Sequence, residues 1–522
     1  MVAMESYYPS SNVQIMFTSL AVGILVAGLV HQAFSRLISH PLSKIPGPYL
    51  AGWSNCYGFY HDVIRSGNYI KHIEKLHEIY SAILTVPAQS PVIRTGPNEV
   101  HVNDPEVYKE VFKIASPFLK TQMFSTAVGL AQAIGTIIDP KEHHVRRSIL
   151  GPRFAPKVIA SYTPKLLGQV RLCCNVMVTK ARQGRTIILP RHTRSLTVDV
   201  ITEFTFGRSF GLTSSAEEEP ELLKDLALFT AHFHVCKYIP LWRWFVVNIP
   251  ERISRKLMPG YFQLRRKATD ELEEIIADKK AGKAISLDDT VVDLLLQPHP
   301  KKGHRIPSVS ALVDEGCAFI LGGSDTTGYT METATYAILA YPGVFKRLRE
   351  ELDGAASYIR GQYDLVRVEQ LPFLTAIIKE SLRLYTPTPA PLPRTVPAGG
   401  YEVDGYFLPG GTILSHSIYL IHHNPQCFSD PKQFRPERWL GEEGQALEQY
   451  YIPFSRGTRS CIGTSLAYHE MYSFLAILFS RFDLELVDTN AESMEWTDQM
   501  FARRKADVKI RLVRDRWSGE VF

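Results

Sequence analysis

The stretch that decides the fold is Phe454-Ser455-Arg456-Gly457-Thr458-Arg459-Ser460-Cys461-Ile462-Gly463, near the carboxyl end of a 522-residue chain. It places a cysteine in a glycine-punctuated loop that runs directly into an apolar segment with helical spacing. Because glycine tolerates backbone conformations that side chains obstruct, Gly457 and Gly463 permit a close turn around the cysteine. Backbone N–H groups at a helix start and the nearby Arg459 favour a thiolate, which indicates a metal ligand rather than a structural cysteine.

The spacing F-x-x-G-x-R-x-C-x-G resembles the haem-binding loop of the cytochrome P-450 superfamily. The resemblance implies that Cys461 is the proximal ligand of the iron in haem b, with Phe454, Gly457, Arg459 and Gly463 around the cofactor. It also implies the fold, which is mainly α with small β-sheets. In that fold the haem lies between a long distal helix and the loop that carries the cysteine.

A second motif, Glu380-Ser381-Leu382-Arg383, lies in a segment with helical spacing, where residues i and i+3 share one face. A surface salt bridge is the simpler interpretation. The apolar neighbours favour burial instead, and buried charges need further partners. The later segment Phe434-Arg435-Pro436-Glu437-Arg438-Trp439 resembles the family's proline-and-arginine motif, which implies a structural Glu380–Arg383–Arg438 network.

An apolar segment, 309–341, has the pattern of one long helix and contains Gly322-Gly323-Ser324-Asp325-Thr326-Thr327. Each mid-helix glycine costs about 1 kcal/mol relative to alanine. Asp and Thr side chains divert backbone hydrogen bonds, so the segment predicts a local kink with room for a small ligand. A packing notch is the alternative. By resemblance the segment crosses the distal face of the haem, and Asp325 and Thr326 are the acid and the alcohol that relay protons.

A basic group, His143-His144-Val145-Arg146-Arg147, follows a helix start at Asp139-Pro140, and its first and last residues are spaced i,i+4. The resemblance implies that Arg147, Arg459 and Arg394 pair with the haem propionates, since guanidinium groups bind carboxylates bidentately. His143 stands where the family more often has tryptophan. A solvated basic patch is the alternative for Arg146 and Arg147.

The segment 13–30, VQIMFTSLAVGILVAGLV, carries no charge. As a helix it spans roughly 27 Å, close to the ~30 Å hydrocarbon core of a bilayer. A cleaved signal peptide is the alternative, but it requires basic residues before the apolar run, and here Arg36 and Lys44 follow it. The positive-inside rule therefore predicts a lumenal segment 1–12 and a single transmembrane anchor helix 13–31 in the endoplasmic reticulum. A basic, proline-rich linker 32–48 and a cytosolic catalytic domain 49–522 complete the predicted organisation.

Composition narrows the function further. A net charge of +5 is too dilute to indicate nucleic-acid binding. Seven scattered cysteines without a Cys-x-x-Cys pair argue against zinc ribbons and thioredoxin-like sites, and for a reducing compartment.

Local patterns predict short strands at 82–86 and 92–94, strands and turns over 399–413, and a helix over 463–482. By family resemblance the pocket walls are 118–130, 318–326, 388–392 and 500–501.

The resemblance implies a membrane-anchored haem-thiolate monooxygenase, similar to those of filamentous-fungal secondary metabolism, that hydroxylates or epoxidises a lipophilic small molecule with O2. Electrons would come from NADPH through NADPH-cytochrome P-450 reductase, because the chain shows no dinucleotide-binding or flavin unit. Cytochrome b5 is a second candidate partner. The alternatives are an electron-independent haem-thiolate isomerase or dehydratase, and a non-catalytic haem sensor or carrier. Retention of Asp325 and Thr326 favours the monooxygenase.

Overall fold

The computed structural model describes residues 11–83, 91–215, 219–281 and 290–522. Within these ranges the chain is mainly helical with small sheets, as the sequence predicts. The first helices are α1 (Ser11–Leu37), α2 (Tyr49–Trp53), α3 (Cys56–Phe59), α4 (Tyr69–Ile83), α5 (Pro105–Val111), α6 (Gln122–Val128), α7 (Pro140–Leu150) and α8 (Pro156–Arg182). They are followed by α9 (Leu189–Phe206), α10 (Glu221–Ala231), α11 (Phe233–Tyr238), α12 (Pro240–Asn248), α13 (Glu251–Leu257), α14 (Pro259–Lys280), α15 (Val291–Leu295) and α16 (Val309–Ala340). The last are α17 (Pro342–Gly354), α18 (Ala356–Ile359), α19 (Leu365–Val368), α20 (Pro372–Leu384), α21 (Ile418–His422), α22 (Gly441–Leu447) and α23 (Thr464–Arg481).

The strands form small sheets beside this helical body. They are β1 (Val92–Gly96), β2 (Glu99–Val102), β3 (Leu119–Lys120), β4 (Ile187–Ile188), β5 (Leu392–Thr395), β6 (Tyr401–Val403), β7 (Tyr406–Leu408), β8 (Ile413–His416), β9 (Phe482–Leu486), β10 (Trp496–Gln499), β11 (Phe501–Arg504) and β12 (Lys509–Asp515). The largest sheet has the order β1-β2-β8-β5-β3, and only its β2–β8 pair is parallel. The others are β4-β12-β9 and the hairpins β6–β7 and β10–β11.

Helix starts follow the capping chemistry of the sequence. The Asp104 carboxylate accepts hydrogen bonds from two backbone N–H groups in the first turn of α5, and Pro105 is the first helical residue. Asp139 caps α7 in the same way, through the N–H of Lys141. Caps of this kind stabilise a helix by about 1 kcal/mol. The start of α7 is thereby fixed, and with it the point at which the basic side chains of this helix emerge.

Helix α16 runs through the centre of the main apolar core and packs against α9, α14, α20 and α23. The predicted long helix is confirmed, and the predicted kink does not interrupt it. The Thr326 hydroxyl donates to the Gly322 carbonyl at 2.8 Å, and the Thr330 hydroxyl donates to the Thr326 carbonyl at 2.9 Å. These threonines therefore bond back within their own turns, and the helical ladder continues past the glycine pair.

The predicted ion network of Glu380, Arg383 and Arg438 forms at the junction of α20 with the 434–439 segment. Arg383 donates to both carboxylate oxygens of Glu380, at 2.8 and 2.9 Å, and Arg438 donates to one of them at 3.1 Å. All three side chains are fully buried. The Trp439 indole and the Arg435 backbone N–H complete the shell around the carboxylate. A buried charge cluster is tolerated only when it is satisfied in this way, so the network fixes the packing of α20.

The amino-terminal helix α1 is long and apolar enough to cross a membrane, with a mean hydropathy of 1.7 over Phe17–Leu37. It extends to Leu37, so the first residues of the predicted linker are helical. Arg36 donates to the Trp53 carbonyl at 2.7 Å, and Leu42 is buried under the sheet. The predicted linker thus packs against the body. Residues 1–10 lie outside the described residues, so the prediction for 1–12 stays open.

Two local predictions have different outcomes. The strand predicted at 92–94 is confirmed as β1. The strand predicted at 82–86 is wrong in its first two residues, because Ala82 and Ile83 form the last turn of α4. The remainder, 84–86, lies outside the described residues. The helix prevails here because its apolar periodicity continues from the preceding turns and outweighs the β-branched character of a short run.

Candidate active site

The cysteine loop is held in one conformation by backbone constraints. The Cys461 N–H donates to the Phe454 carbonyl at 2.9 Å and closes the loop just before α23. Gly457 has a φ of +71°, and an added Cβ would lie 2.1 Å from the Phe112 carbonyl oxygen. Only glycine fits there. Gly463 has a φ of −85°, and a Cβ would make only ordinary contacts, so the steric reason inferred from the sequence applies to Gly457 alone.

The Cys461 thiol faces a cavity in the core. Burial raises the pKa of the thiol, while a hydrogen bond from the Gly463 backbone N–H, the Arg147 charge and the Thr464 hydroxyl lower it. An amide, a guanidinium and a hydroxyl all stabilise negative charge on sulfur. The loop therefore supplies the environment of a thiolate ligand, although burial alone keeps the free thiol protonated.

The middle of α16 forms another part of the cavity wall. Gly322, Gly323 and Thr326 line it. A Cβ added at Gly322 would meet no neighbouring atom within 4 Å, so this glycine widens the cavity. At Gly323 an added Cβ would lie 2.6 Å from Ile201, so the second glycine allows α9 to pack closely on α16. The two adjacent glycines thus have different functions.

The cavity between these walls has a volume of about 380 Å³ and a mostly apolar lining. The predicted walls contribute Lys120, Ala318, Thr388, Leu392 and Phe501 to it, whereas Met500 does not line it. Sequence reasoning missed further lining residues that come from distant segments: Ile134, Phe154, Ile201, Leu382, Pro387, Ile418, Glu470 and Met471. Each belongs to an ordinary apolar pattern or to an isolated position, so no local signal distinguishes it from core.

The predicted acid–alcohol pair is divided between two environments. Thr326 lines the cavity, whereas Asp325 does not. The Asp325 carboxylate is buried and accepts hydrogen bonds from Arg194 Nε at 2.6 Å and from an Arg503 terminal nitrogen at 3.0 Å. Burial raises its pKa, but the two guanidinium groups outweigh burial and hold the pKa below its usual value. Asp325 is therefore an ionised anchor behind the helix, next to the threonine that faces the cavity.

Of the predicted arginines, Arg147 and Arg459 line the cavity, and Arg394 lines a smaller pocket that shares Arg459 with it. Arg147 donates to the Ser460 carbonyl at 2.7 Å, and Arg459 donates to the carbonyls of Ile137 and Ile138 at 2.6 and 3.0 Å. Arg394 donates to the Pro393 carbonyl at 2.9 Å. Among the described residues none of these three arginines forms an ion pair with a carboxylate, although each is at least half buried. Such a cluster has spare capacity for an anion.

Two further basic side chains line the same two pockets. His143 lines the cavity, and its buried Nδ1 has no hydrogen-bond partner in the described part of the chain. Burial and the neighbouring charges of Arg459 and Lys120 lower its pKa to about 3. Lys120, which sequence reasoning did not single out, also lines the cavity. Burial and the charges of Arg394 and Arg459 lower its pKa to about 7.

These features fit a haem. The cavity is lined both by a potential thiolate ligand, Cys461, and by an open glycine of α16, Gly322, so a large apolar cofactor that takes a sulfur ligand would be held by these residues. Five cationic or polar nitrogen-bearing side chains line this cavity or a smaller pocket that shares lining residues with it. None of them pairs with a carboxylate of the described residues, which suits two propionates. They are Lys120, His143, Arg147, Arg394 and Arg459.

A second cluster of ligand-type side chains, Asp62, His234 and Asp498, lies elsewhere in the fold and is also buried. Lys237 Nζ is 3.0 Å from an Asp62 carboxylate oxygen, and the Tyr238 hydroxyl donates to the same oxygen at 2.7 Å. The carboxylate is thus already neutralised by protein groups. This cluster is an ion-pair network that joins α11 to the β10–β11 hairpin.

The sequence model of the Cytochrome P450 family matches residues 48–512. The chain belongs to this family. It is 55% identical over 437 residues to the cytochrome P450 monooxygenase penB of Penicillium thymicola, covering 83% of this chain and 98% of that one. It is 54% identical over 450 residues to the cytochrome P450 monooxygenase asqL of Emericella nidulans, covering 85% and 93%. The identification from the cysteine loop is confirmed, and the protein is a haem-thiolate monooxygenase of the kind found in fungal secondary metabolism.

Solved P450 structures share the fold at much lower identity. The retinoic acid bound cyanobacterial CYP120A1 superposes with a TM-score of 0.69 at 19% identity, over 90% of this chain and 98% of that one. CYP102L1 superposes with a TM-score of 0.68 at 17% identity, over 85% and 94%. These likenesses confirm the predicted mainly α architecture of this P450.

Proposed function

We propose that this P450 hydroxylates or epoxidises a lipophilic fungal metabolite, using O2 and electrons that NADPH supplies through a reductase. One observation carries the proposal. Cys461 and Thr326 line the same mostly apolar cavity. A ligand sulfur and a proton-handling hydroxyl in one cavity are the groups that oxygen activation requires.

The proximal side of the cavity would hold the cofactor. Cys461 would ligate the iron, and Phe454, Gly457 and Gly463 would shape the loop beneath it. Arg147, Arg394 and Arg459 would pair with the propionates, and the free Nδ1 of His143 would hydrogen-bond to one of them. When bound, haem with a thiolate ligand supplies the electron-rich iron that favours O–O cleavage.

The α16 side of the cavity would deliver protons for the reaction. The Thr326 hydroxyl can release its bond to the Gly322 carbonyl and donate into the cavity. Asp325, the adjacent acid, would return a proton to the Thr326 hydroxyl from the side of α16 that does not line the cavity. Because two arginines hold Asp325 ionised, such reloading requires one of those ion pairs to open transiently. This proton path is therefore gated by Arg194 and Arg503.

The substrate would be lipophilic, because the lining of the cavity is mostly apolar. Phe154, Phe319 and Phe501 give aromatic walls, and Ile201 and Leu392 give aliphatic ones. Such walls favour a polycyclic or prenylated skeleton with few charges. The similarity to fungal relatives supports a place in secondary-metabolite biosynthesis.

A membrane and an electron donor are the proposed partners, and they are inferred from helix α1 and from basic residues. Helix α1 would anchor the protein in the endoplasmic reticulum membrane, with residues 49–522 as the cytosolic catalytic domain. The basic residues Arg36 and Lys44 after the apolar run support that orientation. NADPH-cytochrome P-450 reductase is the proposed electron donor, with cytochrome b5 as a second one, and Arg456 beside the cysteine loop suits an acidic docking surface.

A decisive experiment is co-expression with a fungal reductase, followed by feeding of apolar pathway intermediates and product profiling under ¹⁸O2. The proposal expects one ¹⁸O atom per product and complete dependence on NADPH. An isomerase or dehydratase would convert a substrate without NADPH or label. A haem sensor or carrier would bind carbon monoxide after reduction and turn nothing over. Either result would replace the proposed reaction.

A further inference from the structure

The β10–β11 hairpin brings one side chain to the cavity and two to α16. Phe501, the first residue of β11, lines the cavity, and the tight turn before it is made by Met500, with a φ of +72°. Residues two apart in a strand share a face. Arg503 therefore lies on the same face as Phe501, and its side chain reaches α16.

The contact of this hairpin with α16 is a buried ion pair. An Arg503 terminal nitrogen lies 3.0 Å from Asp325 Oδ2, and the same nitrogen is 3.4 Å from the Thr230 hydroxyl on α10. The other Asp325 oxygen is held by Arg194. The next residue, Arg504, pairs with Glu332 two turns further along α16. Two consecutive arginines thus fasten β11 to one helix.

Each partner of this ion pair is close in sequence to a residue that lines the cavity. Asp325 precedes Thr326, which lines the cavity from α16, and Arg503 follows Phe501 by two residues on β11. The hairpin is also tied to a third wall, since the Ala502 N–H donates to the Pro387 carbonyl at 2.9 Å. A fixed distance between Asp325 and Arg503 therefore fixes the distance between Phe501 and the distal helix.

We propose that Arg503 is a positioning residue for substrate selection, which holds Phe501 against the cavity through its ion pair with Asp325. The pair sets the width of the space above Thr326 and so decides which planar or branched skeletons fit. The inference deepens the proposed function, and the iron-ligand probes below rest on the haem assignment. Asp325 thus has a second task as the anchor of Arg503, in addition to any proton that it passes.

The test uses the full-length haem protein in detergent and two nitrogen ligands of haem iron, imidazole and 4-phenylimidazole, which differ by one phenyl ring. Binding is followed by the shift of the Soret band, which needs no turnover. Arg503→Met removes the charge at similar length, and Phe501→Ala removes the wall. Arg503→Lys retains the charge, and Arg511→Met changes an exposed arginine on β12.

The expected result is a change in selectivity. Arg503→Met leaves the imidazole Kd within about twofold and weakens 4-phenylimidazole at least about fivefold, because the phenyl ring loses a fixed aromatic wall. Phe501→Ala has the same effect, and the double variant adds nothing, as coupled residues require. Arg503→Lys restores the wild-type ratio to within about twofold, and Arg511→Met leaves it unchanged.

Three outcomes would overturn the proposal. The first is an unchanged ratio of the two Kd values in Arg503→Met when the ratio changes in Phe501→Ala. The second is additive effects in the double variant. If Arg503→Met does not incorporate haem, Arg503→Gln replaces it, because glutamine keeps a hydrogen-bond donor but carries no charge. The ratio of the two Kd values in Arg503→Gln must then differ from wild type at least about threefold. The third outcome is a smaller change in that ratio. A wild-type protein that gives no Soret shift with imidazole contradicts the haem assignment and with it the proposed function.

Discussion

Lys120 and Arg394 lie directly opposite each other on the antiparallel strands β3 and β5, and neither forms an ion pair with a carboxylate among the described residues. Like charges in opposite positions of a strand pair destabilise a sheet. Here both side chains line one small pocket together with His143 and Arg459. Burial, followed by the charges of Arg394 and Arg459, lowers the pKa of Lys120 to about 7, and burial, followed by the charge of Arg459, lowers the pKa of Arg394 to about 10. An anion bound in this pocket would relieve the repulsion within the group.

This pair predicts that Lys120 retains the cofactor. Lys120→Met keeps the aliphatic stem and removes the ammonium, so a charge-assisted hydrogen bond to a propionate is lost, worth about 1.5–3 kcal/mol. The rate of haem transfer to excess apomyoglobin should rise about tenfold. Lys141→Met changes an exposed lysine of α7 and should leave the rate unchanged. Equal rates in wild type and Lys120→Met would show that Lys120 makes no contact with the cofactor.

The Thr326 hydroxyl is predicted to couple electron use to product formation. Thr326→Val keeps the shape and removes the hydroxyl, so proton donation into the cavity is lost. NADPH consumption should stay within about twofold, while product per NADPH falls about tenfold and hydrogen peroxide rises. Thr335→Val is the control, because Thr335 is buried in the same helix, bonds to the Met331 carbonyl at 2.7 Å and does not line the cavity. Normal coupling in Thr326→Val would remove Thr326 from the proton path.

Glu470 predicts a pH-dependent stability. Its carboxyl is buried at the cavity, Oε2 has no partner in the described part of the chain, and burial raises its pKa well above the usual value. The folded protein then keeps a proton that the unfolded chain releases above about pH 4.3. Stability is therefore lost as pH rises from that value toward the folded pKa, by at most about 1.4 kcal/mol per pH unit.

Glu470→Gln removes this loss, because glutamine stays neutral. Its advantage in thermal midpoint over wild type should widen by at least about 2 °C between pH 5 and pH 8. Differential scanning fluorimetry of the haem protein measures it, with the exposed Glu442→Gln as control. A constant difference across that range would mean that Glu470 is ionised in the folded protein.

The buried network around Glu380 predicts a failure of assembly. Glu380→Gln leaves the buried guanidinium groups of Arg383 and Arg438 without their counter-charge, which costs about 3–5 kcal/mol. The yield of protein with a thiolate-type carbon-monoxide difference spectrum should fall at least about tenfold. Glu437→Gln, in the same segment as Arg438 but on a surface pair with Arg347, should change the yield less than twofold. Normal yield from Glu380→Gln would show that the network is dispensable.

The sequence alone determined the family and most long helices, and it singled out Cys461 as the predicted proximal ligand. The cysteine loop, the Asp-Pro helix starts and the span of α16 are governed by interactions within a few residues, which local patterns express directly. The Glu380 network was also predictable, because the resemblance supplied its distant third member. The strand predicted at 82–86 is wrong at 82–83, since helical continuity from α4 outweighs β propensity there.

Only the tertiary structure decided which side chains face the cavity and which carry charge partners. Asp325 and Thr326 are neighbours in sequence, yet a helix turns successive side chains about 100° apart, so one meets two arginines and the other the cavity. Arg503 is 178 residues from Asp325, and Lys120 meets Arg394 through a two-residue strand. Such contacts depend on how distant elements pack, and no local pattern encodes that packing.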